Sequence, residues 1–554
     1  QFEHSYGNNL PAFKGDYTPY WEDGAASSAR ETALNRATDE RLVQAETLWA
    51  MRNLPAFPAG EFQNAWRDAL LYSEHTWGAH NSISQPDLPF VRDQWKVKQS
   101  FALDADQLSR SLLSRAADTS SEPGSPGTID VYNTSSWDRT DLVTVSAKDS
   151  ERGDRVVDER GRAVPAQRLS GGELVFLAGR VPAFGASRFQ IQAGACPLKG
   201  TAMAEPTRLV SSNFFVRVDE DSGAIKYLYS RSVGREFVSS NAAPELNDYF
   251  YLPGSDVLQV QRNARPTISI KENGPLVASL LIESGAPGCK RLSREVRVID
   301  GLDRVEIINT IDKLAVRAKE GVHFGFGFNV PKGVIRMDVG WAAITPELDQ
   351  IPAACKNWFS VQRWVDISNE RCGITWSSVD APLVEVGGLT ANLIGSQTDY
   401  RVWIQRLAPT QTIFSWVMNN HWHTNYRADQ EGPTVFRYAL QPHRAFAADE
   451  AARFGVSCSQ PLIAVRAFGP PLTEPRLRLS NDKVLVSAFK PADDGKGWIV
   501  RLFGASGEHE KVKLSWNSPA PHHVWLSDLS EQPGQEVGHT LNVPAWGIVT
   551  LRAE

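Results

Sequence analysis

Two short stretches concentrate the side chains best suited to chemistry. Residues 70–80 read LLYSEHTWGAH, an apolar, helix-like run that ends in Glu74, His75, Thr76 and Trp77. An imidazole between a carboxylate and an indole, where a helix stops, is open to three roles: metal ligand, helix C-cap or satisfied core residue. Residues 419–426 read NNHWHTNY and pack amide, imidazole, indole and phenol groups together. Strand alternation would send Asn420, Trp422 and Thr424 one way and Asn419, His421 and His423 the other, with Tyr426 closing the motif. Amides that read sugar hydroxyls beside a stacking indole suit one such face, and buried amides that fix a domain interface suit it equally. His421 and His423 have no third ligand near them in sequence, which argues against a metal site of their own. Asp16, Glu22 and Asp23 form a third group near the amino terminus, either solvated loop charges or cleft residues, with Trp21 beside them as a candidate wall.

These groups need elements to hold them. Residues 1–24 are rich in Gly, Pro and aromatics without helical periodicity. Ser28-Ala29-Arg30-Glu31 matches a capping box, which predicts a helix start. Leu34, Ala37, Leu42, Ala45, Leu48 and Trp49 then follow at helical spacing to about residue 53. Pro55 and Pro58 break the chain before a second helix, with Phe62, Trp66, Ala69, Leu70 and Ser73 on one face. A loop over 78–88 leads to a third helix from about Pro89, which turns Trp95, Phe101, Ala105, Leu108 and Leu112 inward. Three helices with short connections predict a bundle over 25–117. DTSSEPGSPGT (118–128) is a linker by composition. Short alternating strands then predict a small β-sandwich over 128–200 and a large two-sheet supersandwich over 205–468. A small β-domain over 470–554 follows, so the chain reads as α+β and mostly β. VHFGFGFNV (322–330) alternates Phe with small residues, the pattern of a strand with one buried face.

Composition removes several function classes. A chain of 554 residues holds several domains, and 42% hydrophobic with 22% charged residues is enough to bury sizeable cores. A net charge of −6 without a Lys/Arg-rich run argues against nucleic acid or an anionic membrane surface as partner. No apolar run is long enough to span a bilayer. Five scattered cysteines without CxxC spacing form neither a disulfide framework nor a zinc-thiolate site. The chain opens at Gln1 without a leader pattern, so it reads as processed or truncated, with any targeting signal upstream and the compartment unknown.

Four ordered motifs carry a resemblance to glycoside hydrolase family 38 α-mannosidases. GDYTPYWEDGAASSARETALNR (15–36) resembles the family's barrel-to-bundle junction, and EHTWGA (74–79) falls where the family carries a His-His-Asp motif. FSWVMNNHWHTNYRADQEGPTVFRYAL (414–440) and the segments NWFSVQRWVDISN and GITWSSVDAPLVEVG (357–387) resemble sandwich strands of the family. The family's first His and its Asp are Glu74 and Thr76 here. The resemblance implies a galactose-mutarotase-like supersandwich, a zinc ion, and an amino-terminal barrel absent from this sequence. That barrel would supply the nucleophile, the acid/base and three of the four zinc ligands. His75 matches the remaining zinc ligand, and zinc would orient the hydroxyls of the reacting mannose. Retaining glycosidases need two carboxylates about 5–5.5 Å apart, and no pair here maps onto them, so no catalytic residue is expected in this chain. The resemblance implies α-mannosides or related oligosaccharides as substrate, with Asp16, Trp21, Asp23, Glu74, Asn419, Asn420, His421, Trp422 and Tyr426 near it. The rival expectation is a carbohydrate-binding or scaffolding module without catalysis.

Overall fold

The computed structural model describes residues 2–11, 13, 15–17, 22–117, 127–239, 244–390, 403–467, 469, 472 and 474–554. It is mostly β, with several antiparallel sheets and few helices. Trp21 and most of the 118–128 linker lie outside the described residues.

Five α-helices are described: α1 (Phe2–Tyr6), α2 (Ala29–Met51), α3 (Ala59–Ser73), α4 (Pro89–Ala117) and α5 (Ala448–Ser459). The three long ones pack on one another, while α1 is a single turn and α5 lies far along the chain. The helix α2 starts where expected but without the capping box. Ser28 occupies the N-cap and makes no side-chain cap hydrogen bond. A 3-10 stretch, Glu22–Ser28, runs straight into the helix, and the Ser28 hydroxyl meets Tyr72 Oη at 3.1 Å instead. Glu31, buried, accepts from Gln99 Nε2 at 2.5 Å instead. The α3 face also differs from the expected one. Phe62, Ala65, Ala69 and Tyr72 are buried, whereas Leu70 is 68% exposed and Ser73 is exposed.

The helices do not form their own core. Leu42, Leu48, Phe62 and Leu112 join Phe489, Leu502 and Val512 of the terminal sandwich in one buried cluster. The small sandwich is closed by a late strand. Ile463–Arg466, which follows α5, pairs antiparallel with Thr128–Asn133.

The supersandwich sets a nine-stranded sheet against shorter sheets. Its core holds Phe324, Phe326, Trp376 and Tyr438. The strand Glu320–Gly327 is buried on both faces, not one. Glycine explains the difference. A Cβ on Gly325 would lie 2.6 Å from the Pro244 ring, and one on Gly327 would lie 2.3 Å from the Pro244 carbonyl oxygen. The small residues therefore admit a covering segment rather than face water.

Candidate functional site

Three segments distant in sequence meet on one side of the supersandwich: residues 22–28, 74–80 and 419–427. The strand Thr412–Asn419 ends at Asn419, so the expected alternation stops there. Beyond it the chain turns, with Asn425 in the left-handed region at φ 66°. The Asn425 carbonyl accepts from Trp77 and Gly78 N–H, both at 2.9 Å, and the Thr424 hydroxyl donates to the His80 carbonyl at 2.9 Å. Two motifs that look unrelated in sequence are thus stitched together through backbone groups.

The amino-terminal segment joins through Asn419. Its side-chain N–H donates to the Asp23 carbonyl at 2.7 Å, and its side-chain oxygen accepts from the Ser27 hydroxyl at 2.7 Å. Gln430 adds bonds to the Ala26 carbonyl (2.8 Å) and from the Ala29 N–H (3.1 Å). Gly24 lies flat against the Tyr426 ring, where a Cβ would come within 2.0 Å of a ring carbon. Tyr426 in turn packs on Trp422, ring centroids 4.4 Å apart, in a cluster with Tyr72 and Trp77.

Asp23 sits at the centre of this junction, fully buried, and neither carboxylate oxygen makes a hydrogen bond among the described residues. Burial drives its carboxyl well above the usual range, with Glu22 adding to the rise. The Asp23 and Gly24 N–H groups and the Trp422 indole N–H approach the carboxylate outside hydrogen-bond geometry and oppose this without cancelling it. The Tyr426 hydroxyl donates to the His75 carbonyl at 3.3 Å, and burial followed by the Asp23 and Glu22 charges raises its phenol. His421 is buried beside Trp416, and burial, then His323, Lys319 and His423, lowers its imidazole to about 3. It is therefore neutral at ordinary pH. The Lys319 ammonium, lowered by burial to about 8, caps the Trp422 carbonyl.

The remaining expected residues divide. Asn420 is buried, and its side-chain N–H groups donate to the Val316 (2.8 Å) and Ala318 (3.1 Å) carbonyls, which commits them to the scaffold. Glu74 is the C-cap of α3 and exposed, and its carbonyl accepts from Lys98. His75 is one residue further, so it is not the cap. It is exposed and in the left-handed region at φ 36°. Asp16 lies on a bridge to Gln350, with its N–H donating to the Asp349 carbonyl at 2.7 Å. Tyr72, Ser27 and Lys319 belong to the junction and were not expected from sequence. Only the place of Tyr72 inside LLYSEHTW could have flagged one of them.

A zinc site needs about three protein ligands, and no group of three His, Cys, Asp or Glu side chains among the described residues could hold a metal. His75, exposed at a helix end, fits only as one donor to a site whose other ligands come from elsewhere. No helix of the described residues is long and apolar enough to cross a membrane.

Comparison with known proteins places this geometry. Residues 483–551 match the family model of the glycosyl hydrolases family 38 C-terminal beta sandwich domain. The whole chain superposes on the crystal structure of an alpha-mannosidase from Enterococcus faecalis V583, covering 100% of this chain and 72% of that one, with a TM-score of 0.74 at 15% identity. A protein in the glycosyl hydrolase family 38 from Enterococcus faecalis aligns over 100% of this chain and 73% of its own, with a TM-score of 0.73 at 16% identity. No curated protein matches by sequence. The terminal sandwich thus carries the family's sequence signature, and the entire chain has an α-mannosidase-like family 38 fold.

Proposed function

We propose that this chain is the non-barrel portion of a zinc-dependent, retaining α-mannosidase of glycoside hydrolase family 38. The observation that carries the reading is the whole-chain fold likeness together with the family signature at residues 483–551. The junction adds support, because Asp23, His75, Trp422 and Tyr426 come together from three remote segments.

In this reading the nucleophile and acid/base lie in a barrel supplied outside this chain. His75 contributes one ligand to zinc, which when bound orients sugar hydroxyls and stabilises charge. This chain's own residues do the rest. Asp23 offers a carboxyl whose hold on its proton is strengthened by burial and which would hydrogen-bond a sugar hydroxyl. Trp422 and Tyr426 supply an aromatic wall, and Asn419 and Gly24 hold that wall against the amino-terminal segment.

Metal analysis tests the ligand. With the barrel present, His75→Ala should lower zinc content as well as turnover of an aryl α-mannoside, since loss of one ligand weakens binding steeply. A full zinc complement in the variant would remove His75 from the site. The purified chain alone should not hydrolyse the aryl mannoside, and robust turnover by it would overturn the reading. A second reading is a carbohydrate-binding or scaffolding module that works without catalysis. It predicts sugar binding that is indifferent to zinc.

A further inference from the structure

His75 is held in a backbone conformation that is uncommon for a residue with a side chain. It follows Glu74, the C-cap of α3, and takes a left-handed φ of 36°. Glycine usually fills that place after a helix, because a Cβ there crowds a neighbouring carbonyl oxygen. Another residue stays in it only where its surroundings fix it, and such positions gather at functional sites.

Here the surroundings act on both peptide planes that meet at the His75 Cα. A peptide unit is planar, so the two planes set the two soft dihedrals of the residue between them. They thereby set the direction of its Cα–Cβ bond. The plane before His75 carries the Glu74 carbonyl, which accepts from the Lys98 ammonium. The same ammonium donates to the Leu71 carbonyl at 2.8 Å and lies over the Tyr72 ring, 5.9 Å from its centroid. Lys98 reaches in from α4 and is only 8% exposed, so these carbonyls stand in for much of its water.

The plane after His75 carries its own carbonyl, which accepts from the Tyr426 hydroxyl at 3.3 Å. Beyond it, the Trp77 and Gly78 N–H groups close on the Asn425 carbonyl, and the Trp77 indole is buried under the Arg427 guanidinium. The backbone is anchored before, at and after His75 while the residue itself is exposed. Closing the last turn of α3 would need only its own carbonyls, such as that of Leu71. The bond to Glu74, outside the helix, and the one from Tyr426, 351 positions away, go beyond that need.

We propose that Lys98 and Tyr426 are positioning residues for His75: they lock the two peptide planes at its Cα, so that its imidazole is presented in one direction before a metal reaches it. Outer groups that orient a ligand in advance raise the affinity of the site it serves. That the imidazole meets zinc rests on the mannosidase reading, whereas the fixing of its direction does not.

Ring signals of ¹³C-labelled histidine test the fixing in the purified chain, with the His75 signal identified by its loss in His75→Ala. Lys98→Met, similar in length but without a donor, should shift and broaden that signal. Lys98→Arg should restore it, and Tyr426→Phe should move it by less. With the barrel present, zinc affinity measured against a competing chelator should fall about tenfold in Lys98→Met and return in Lys98→Arg. Lys98→Met should add nothing to His75→Ala, a coupling that general loosening of the helices would not produce. If Lys98→Met does not fold, Tyr426→Phe carries both measurements. An unmoved His75 signal, or a zinc affinity lowered by His75→Ala but not by the positioning variants, would overturn the proposal, as would additive losses in the double variant. A moved signal with zinc affinity untouched by His75→Ala would keep the positioning role and sink the ligand reading.

Discussion

Asn419 and Asn420 at the end of the supersandwich strand, and Asp23 and His421 a few ångströms of packing away, are equally buried, none above 4% exposed. The two asparagines spend their side-chain hydrogen bonds on the scaffold: Asn419 ties Ser27 to Asp23, and Asn420 ties the Val316–Ala318 loop. Both Asp23 carboxylate oxygens and His421 Nε2 lack a hydrogen bond among the described residues. Burying a polar group without a partner is unfavourable. The contrast teaches that one junction contains two kinds of buried polar residue, some tied into the scaffold and others left without a hydrogen bond among the described residues.

The largest expected effect is on the scaffold side. Asn419→Ala strands the Ser27 hydroxyl and the Asp23 carbonyl in a buried site, so unfolding free energy should fall by ~3 kcal/mol, at about 1–3 kcal/mol for each unpaired group. Urea denaturation measures this, and a loss under ~1 kcal/mol would erase the distinction between the two pairs.

Next comes the acid response of His421. An unfolded imidazole takes its proton near pH 6.5, whereas the folded one resists until about 3. Between those values the unfolded chain binds more protons, so stability falls as pH falls. His421→Gln should remove about 2 kcal/mol of that loss over the one and a half pH units below 6.5, at about 1.4 kcal/mol per unit. Melting temperatures of both proteins across that window would reveal it, and parallel curves would remove His421 from the unsatisfied pair.

Asp23 should show the opposite sign. Its folded carboxyl holds a proton above the usual carboxylate range, so the folded state binds more protons there and stability falls as pH rises. Asp23→Asn should therefore gain on the parent protein as pH increases from about 4 toward neutrality. A constant difference in melting temperature would show that the carboxyl titrates normally. Smallest is Tyr426→Phe, which removes the 3.3 Å bond to the His75 carbonyl. It should lower stability by only about 1 kcal/mol in urea, and a much larger loss would make the phenol part of the scaffold.

Local pattern made the helices and strands readable. Pro55, Pro58 and Pro89 punctuate the helical region, and Leu42, Ala45, Leu48 and Trp49 mark the buried stripe of α2. Local pattern misled where a distant segment changed the environment. Ser28 has the sequence of a capping residue, but Tyr72 claims its hydroxyl. The Gly/Phe alternation of 321–327 looks half-solvated until Pro244 lies across the glycines.

The candidate site follows the same division. Residue types alone singled out His75, Asp23 and the 419–426 motif, because a lone imidazole at a helix end and a run of amides and aromatics are chemically unusual wherever they occur. Their roles were set by contacts across hundreds of residues. Asn419 meets Ser27 at a separation of 392 positions, and Tyr426 meets His75 at 351. Periodicity reports only on neighbours within a turn or a pleat. Which amide is satisfied, which carboxyl is desolvated and which indole lines an opening depend on what the rest of the chain places against them, and only the folded structure decides that.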